Sequence, residues 1–160
     1  MLTPSQLVTL KTGIQSNPDF WLNGTQMLGN EEMASAYNQP SSPAHTVWKT
    51  DVLVDDIMRN GMDWSRVDNL SVGKARIWDW MTRLGTLNAS KANIRAGIDA
   101  SWVGTTADLA VRAVVYTHCK RNATIAEKIF ATGAGTTDNP STMGFEGLIA
   151  PEDITNAIYS

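Results

Sequence analysis

The sequence offers one set of side chains that could act as a nucleophile with its base or as ligands of a transition metal: His45, His118 and Cys119. His118 and Cys119 are adjacent in a predicted helix, where successive side chains point about 100° apart, so they cannot both face one centre. No CxxC or HExxH pattern and no third ligand accompany them. We therefore predict structural roles, with Cys119 as a small buried apolar residue and His118 as a core histidine or helix-end cation.

A second candidate is an acidic cluster that resembles a calcium loop in composition alone. A calcium loop needs ligands at alternating positions, a central glycine and a final glutamate. Apolar residues at 52–54 stand where ligands should be. We expect first-turn helix charges or a solvated face for Asp51, Asp55, Asp56, Asp63 and Asp68.

The third candidate is Gly133-Ala134-Gly135-Thr136-Thr137, which has the glycines of a phosphate loop. It lacks the Lys-Ser/Thr ending and follows a helix instead of opening one. A flexible connection is the better interpretation. The sequence thus predicts no catalytic residue, no metal and no cofactor, and favours a protein that is not an enzyme.

The elements that must position these residues are mainly helices. Thr3, Pro4 and Gln6 form a capping box with proline at the first helical position, and Thr124 with Glu127 forms a second box. Further helices are predicted at Asn30 to Tyr37, Asp55 to Asn60, Val72 to Leu84, Ser90 to Gly104, and Thr105 or Thr106 to Arg121. Inward-facing positions are predicted for Trp78, Trp80, Trp102, Leu109, Val111, Val114, Val115 and His118.

The predicted fold is mostly α: one domain, built as a bundle of five to seven helices with little or no sheet. Residues 1–132 form the helical body. Residues 133–160 form a long glycine-rich loop, an extended C-terminal arm and a short terminal helix beginning near Pro151. The chain has the size of one ordinary domain.

Composition excludes several classes of function. The hydrophobic content of 42% and charged content of 18% are those of a globular protein, and a net charge of −3 gives no general attraction to nucleic acid or membrane. No stretch suits a signal peptide or a membrane span, and the single cysteine cannot form an internal disulfide. Six tryptophans are a high count, and tryptophan is enriched both in cores and at protein–protein contacts.

Charge is distributed unevenly along the chain. Residues 1–73 have a net charge of −4, residues 74–128 of +5, and residues 129–160 of −4. This pattern either stabilises the fold internally or suits a subunit whose positive face meets a neighbour's negative face. The basic residues predicted to face DNA or a partner are Lys74, Arg76, Arg83, Lys91 and Arg95.

Several motifs resemble one family. They are Ala36 to Pro40, Val47-Trp48-Lys49-Thr50, the stretch from Lys120 to Gly135 and Phe145-Glu146-Gly147. Together they resemble small structural proteins of tailed bacteriophages and prophages, mostly of the head and neck. Asn122 departs from the small or apolar residue typical of its position.

The resemblance implies a virion structural protein, above all a head–tail connector (adaptor) subunit that forms a ring and joins portal to tail. Its partners would be further copies of itself, portal or tail proteins and, non-specifically, packaged DNA, with no membrane. It would be assembled in the cytoplasm of the bacterial host and reside in the virion. The alternatives are a capsid-decorating protein, a tail-end protein, or a non-structural assembly or DNA-binding factor.

The apolar residues after the glycine-rich loop need burial. They pack either against their own domain or, if the segment is an arm, against a neighbouring subunit. The residues predicted to make such intersubunit contacts are Met143, Phe145, Leu148 and Ile149.

Overall fold

The structure is a computed structural model that describes all residues from 1 to 160. Half of the chain is helical, and the prediction of a mostly α fold is confirmed. The nine helices are α1 (Pro4–Gln15), α2 (Asn30–Tyr37), α3 (Val54–Arg59), α4 (Trp64–Asp68), α5 (Val72–Thr82), α6 (Ala92–Ser101), α7 (Thr106–His118), α8 (Ile125–Phe130) and α9 (Pro151–Tyr159). None of them is long and apolar enough to cross a membrane.

Six short strands form three two-stranded sheets, in which β1 lies beside β2, β3 beside β6, and β4 beside β5. The pairs β1–β2 and β4–β5 are antiparallel. The strands are β1 (Trp21–Leu22), β2 (Thr25–Gln26), β3 (Thr46–Trp48), β4 (Val52–Leu53), β5 (Thr86–Leu87) and β6 (Lys120–Asn122).

The structure has nine helices, against the predicted five to seven; three of them, α3, α4 and α8, are only five or six residues long, and of these three only α4 was not predicted as a helix. Gly61, with a φ of +103°, and the N-cap Asp63 separate α3 from α4. Segments of one or two turns lie at the limit between helix and turn, and hydrophobic spacing does not distinguish the two.

The chain divides into two compact units. Unit 1 comprises Met1–Thr46 and Asn122–Ser160, and unit 2 comprises Val47–Arg121. The chain passes from unit 1 to unit 2 within β3 and returns within β6. The predicted division at residue 132 falls inside unit 1, and the prediction of one domain overall stays a prediction.

Unit 1 is built from α1, α2, α8 and α9 around one apolar core. The capping box at Thr3 begins α1 as predicted, and a second box at Thr124 begins α8. α9 packs on both α1 and α2. Phe20 and Tyr37 meet with ring centroids 5.4 Å apart, and burial raises the pKa of Tyr37 to about 12. The fully buried side chains include Leu10, Ile14, Met33, Ile154 and Ala157.

Unit 2 has its own core, which is centred on two tryptophans. Trp78 of α5 and Trp102 at the end of α6 meet edge to face, with centroids 5.3 Å apart. α6 approaches α5 closely because Gly97 has no side chain: a Cβ there would lie 2.5 Å from the sulfur of Met81. The rest of the core includes Val52, Ile57, Leu87, Ile98, Val111, Val115 and Cys119.

The predicted helix through Arg121 ends earlier than the sequence indicates. α7 stops at His118, and Lys120 begins β6. The backbone N–H of Lys49 donates to the carbonyl of Cys119 at 2.9 Å, and the ammonium of Lys120 lies over the Trp48 ring at 5.4 Å. Pairing of the backbone and the contact with Trp48 therefore replace the last predicted helical turn. Lys120 and Arg121 lie in β6 and not at the end of α7.

Candidate functional site

The three residues considered for nucleophilic or metal chemistry divide between the two units. His45 belongs to unit 1, whereas His118 and Cys119 belong to unit 2. Cys119 is fully buried, as predicted, and burial raises the pKa of its thiol to about 11, so the reactive thiolate is scarce at neutral pH. His118 makes a 3.0 Å hydrogen bond to the Asn60 carbonyl. No group of three or more His, Cys, Asp or Glu side chains could hold a metal ion.

The acidic residues serve helix ends, as predicted. Asp55 and Asp56 lie in the first turn of α3, and Asp55 pairs with Arg59 at 2.9 Å. Asp63 caps α4 by accepting hydrogen bonds from Ser65, and the Ser65 hydroxyl is the main cause that lowers the pKa of Asp63. These side chains are exposed and do not form a cation cage.

The glycine-rich loop is held to its own unit by backbone hydrogen bonds. Thr132 and Thr142 form an antiparallel bridge, and the Gly135 carbonyl accepts from the N–H of Thr46 at 2.7 Å. A Cβ at Gly135 would overlap the His45 ring, which therefore requires glycine here. Burial, followed by the charge of Lys128, lowers the pKa of His45.

The five predicted basic residues divide into two groups. Lys74 donates to the Val103 carbonyl at 2.6 Å, and Arg95 donates to the carbonyls of Ala89 and Ser90 while lying over the Trp48 ring. These two cations hold unit 2 together. The exposed members are Arg76, Arg83 and Lys91, of which Arg83 pairs with Asp79 on its own helix at 2.5 Å.

The most unusual surface of unit 2 is an apolar stripe on the outer side of α5, which we call the α5 face: Ile77, Trp80 and Leu84. Trp80 is 72% exposed and Leu84 is 86% exposed. The prediction that Trp80 lies in the core is wrong, as is the inward placement of Leu109, which is 42% exposed on α7. Trp78 and Trp80 are two residues apart, about 200° around a helix, so they cannot share a buried face.

A groove of about 420 Å³ opens beside the α5 face. Met81, Leu87 and Ile94 give it apolar surface, and Trp80 and Leu84 form its outer wall. Arg76 and Arg83 are surface neighbours of Trp80, at spacings of four and three residues along the helix. The remaining lining residues are Thr50, Thr86 and Asn88. An apolar groove flanked by cations suits an apolar side chain that has acidic neighbours.

The four predicted intersubunit residues of unit 1 have different environments. Met143 and Phe145 are half-buried, and Phe145 packs on Phe130 with centroids 5.4 Å apart. Ile149 is buried in the core of unit 1. Leu148 is 73% exposed and is the one that offers a free apolar surface. Their contact with a neighbouring subunit stays a prediction.

The two units carry opposite charge. Unit 1 contains two basic and eight acidic side chains, a net charge of −6. Unit 2 contains eleven basic and eight acidic side chains, a net charge of +3. The alternation seen along the sequence therefore corresponds to a division between the units.

No protein-family model matches the sequence, and neither a curated protein nor a solved structure shows significant similarity to it. The functional interpretation therefore rests on the surfaces of the two units and on the motif resemblance.

Proposed function

We propose that this chain is a structural protein of a tailed-phage virion, and specifically a head–tail connector subunit. Several copies form a ring that joins the portal to the tail. The observation that carries the proposal is the exposed α5 face of unit 2, whose Trp80 has no partner within its own unit that covers it. Large exposed apolar surfaces with a polar rim are typical of protein–protein contacts.

The opposite charges of the two units support a ring in particular. Because one unit is acidic and the other is basic, copies attract one another head to tail, through two different surfaces. Such a heterologous contact gives a closed ring when the rotation between neighbours closes, and an open filament when it does not. The motifs at Val47 to Thr50 and Lys120 to Gly135 support the phage assignment by resemblance.

The finer features of the proposed subunit are a helical body and a short extended arm. The arm is the segment 143–148, which lies between the glycine-rich loop and α9 and contains no strand or helix. In the assembled ring, the solvent-facing Arg76 and Lys91 contact neighbouring subunits or the phosphates of passing DNA, and Arg83 joins them if its exposed pair with Asp79 opens.

Quantitative mass spectrometry of purified particles tests the proposal. We expect several copies per particle, and several copies in an isolated complex with the portal. The matched comparison is between separated heads and separated tails, because a connector is enriched at the neck, whereas a decorating protein follows capsid mass and a tail-end protein follows tails. Absence from particles contradicts a structural role, and a single copy on the portal contradicts the ring.

A further inference from the structure

The groove beside the α5 face, lined by Trp80, Met81 and Leu84 among others, is called the α5 groove. We propose that the α5 groove of one copy binds the segment Glu146–Glu152 of a second copy, with Leu148 as the apolar anchor. This inference rests on the proposed function only in requiring that copies of the chain assemble with one another. It names both surfaces of the contact and the residue that fills the groove.

The apolar part of the argument is a match between two exposed surfaces. The groove presents Trp80, Leu84 and Met81, and it is not filled by any side chain of unit 2. Leu148 is an aliphatic side chain that stands 73% exposed on unit 1. Burial of a leucine contributes favourably in proportion to the apolar area removed from water, and an aromatic wall such as Trp80 supplies much of that area.

Leu148 is also held in a fixed position. The side-chain oxygen of Asn38 accepts from the Ile149 N–H at 2.8 Å, and its amide donates to the Ile149 carbonyl at 2.9 Å. On the other side, Gly147 adopts a φ of +131°, a conformation that favours glycine. A residue fixed in this way loses little conformational entropy when it is bound, which favours a role in contact.

The distribution of charge also favours the segment Glu146–Glu152 as the one that binds in the α5 groove. Glu146 and Glu152 lie on either side of Leu148, and residues 129–160 contain no basic side chain. Arg76 lies one turn before Trp80 on α5, and Arg83, which is paired with Asp79, caps the end of that helix. The apolar anchor and its acidic neighbours thus complement the apolar groove and its basic neighbours. A DNA-binding role would use the arginines but neither the exposed Trp80 nor the exposed Leu84.

The contact is heterologous, because the groove belongs to unit 2 and the anchor to unit 1. Each copy can then use its groove toward one neighbour and its anchor toward the other, as a ring requires. A segment of seven residues in a groove buries less than the roughly 1,200–2,000 Å² of a standard stable interface. We therefore expect weak self-association in dilute solution and occupancy in concentrated protein or in particles.

Cysteine cross-linking of full-length protein tests the contact. Two variants that carry tags of different size, Leu84→Cys and Leu148→Cys, are mixed at high concentration and oxidised. Buried Cys119 does not compete. The matched control replaces Leu148→Cys by Val8→Cys, an exposed apolar position of unit 1 on α1. We expect a mixed dimer with Leu148→Cys that exceeds the control severalfold. Circular dichroism establishes that each variant is folded.

The double variant Leu84→Cys/Leu148→Cys extends the test to particles, where a ring gives a ladder of cross-linked oligomers. Equal cross-linking of the Val8→Cys control, or no cross-linking in concentrated protein and in particles, overturns the inference. Cross-linking to the portal without a ladder also overturns it. Particles that contain many copies but no ladder count against the inference and leave the proposed function intact. A ladder in purified protein, when the protein itself is absent from particles, supports the inference and contradicts the proposed function.

Discussion

Units 1 and 2 have comparable cores but present different surfaces. Unit 1 is strongly acidic, with a net charge of −6, and its last helix completes its own core. Unit 2 has a net charge of +3 and leaves much of one face of α5 exposed, including an indole. A fold that only had to be stable would not need an exposed tryptophan between two arginines. In the proposed contact, unit 2 of one copy binds unit 1 of the next.

The tryptophans show the same division. Five of the six lie in unit 2, and only Trp21 lies in unit 1. Within unit 2, Trp78 and Trp102 are buried, whereas Trp64 and Trp80 are exposed. The same residue type therefore serves stability at two positions and is available for recognition at two others.

The largest expected effect comes from deleting residues 134–160. A segment that served only as an arm could be removed without loss of the body, but the packing of α9 on α1 and α2 indicates that the body depends on it. Loss of Ile149 and Ile154 alone removes roughly 1.5–3 kcal/mol each, a large part of a typical stability of about 5–15 kcal/mol. We expect the helical circular dichroism signal to fall by more than the nine residues of α9 explain. The full-length control Leu148→Ala should keep that signal, and a truncated chain that retains α1, α2 and α8 would contradict this account of unit 1.

The next largest effect distinguishes the buried Trp102 from the exposed Trp80. Trp102→Ala should lower the free energy of unfolding by about 3–5 kcal/mol, because it empties the centre of unit 2. Trp80→Ala should change it by no more than about 0.5 kcal/mol, because the indole is exposed. Chemical denaturation of both variants measures the difference. Equal destabilisation would show that Trp80 belongs to the core, as its sequence pattern first indicated.

A smaller effect concerns pH and the pair between Arg66 and Asp108. Arg66 donates to the Asp108 carboxylate at 2.7 Å, and this bond, followed by that from Thr105, lowers the pKa of Asp108 from 3.8. A lowered pKa in the folded state means that the stabilisation is present above pH 3.8 and is lost as pH falls through the folded value. Asp108→Asn should therefore destabilise unit 2 at pH 7, and the gap from the unmodified protein should narrow below pH 3.8. Asp55→Asn, which breaks an exposed pair, should change stability by less than about 1 kcal/mol at pH 7. If the difference in stability between Asp108→Asn and the unmodified protein became larger in acid, the assignment of the Arg66–Asp108 pair would be contradicted.

Helix positions with caps were predictable from the sequence. The box at Thr3, the box at Thr124 and the helix from Asn30 to Tyr37 all lie where side-chain chemistry placed them. The end of α7 was not predictable, since the pairing of β6 with a strand more than 70 residues earlier leaves no local signal. Contacts distant in sequence decided that boundary.

The candidate site was only partly visible in the sequence. The sequence indicates which cations surround the site. Spacing alone does not show that Arg95 donates hydrogen bonds to backbone carbonyls while Arg76 faces solvent. Trp80 was misplaced because a broad apolar pattern was assigned to one face. The spacing of Trp78 and Trp80 contained the missing signal, since helical geometry forces one of the two outward.

Charge exchange between the units tests most directly that unit 2 of one copy receives unit 1 of another. Arg76→Glu and Glu152→Arg should each weaken self-association of the full-length protein, and the double variant should restore it, as sedimentation at increasing concentration measures. An exposed pair contributes roughly 0.2–1 kcal/mol, up to about fivefold in Kd, and less at high salt. Arg59→Glu, on α3, is the matched control and should combine with Glu152→Arg without rescue. The predicted result is that Glu152→Arg is rescued by Arg76→Glu and not by Arg59→Glu, and additive weakening in the Arg76→Glu/Glu152→Arg variant would contradict the account.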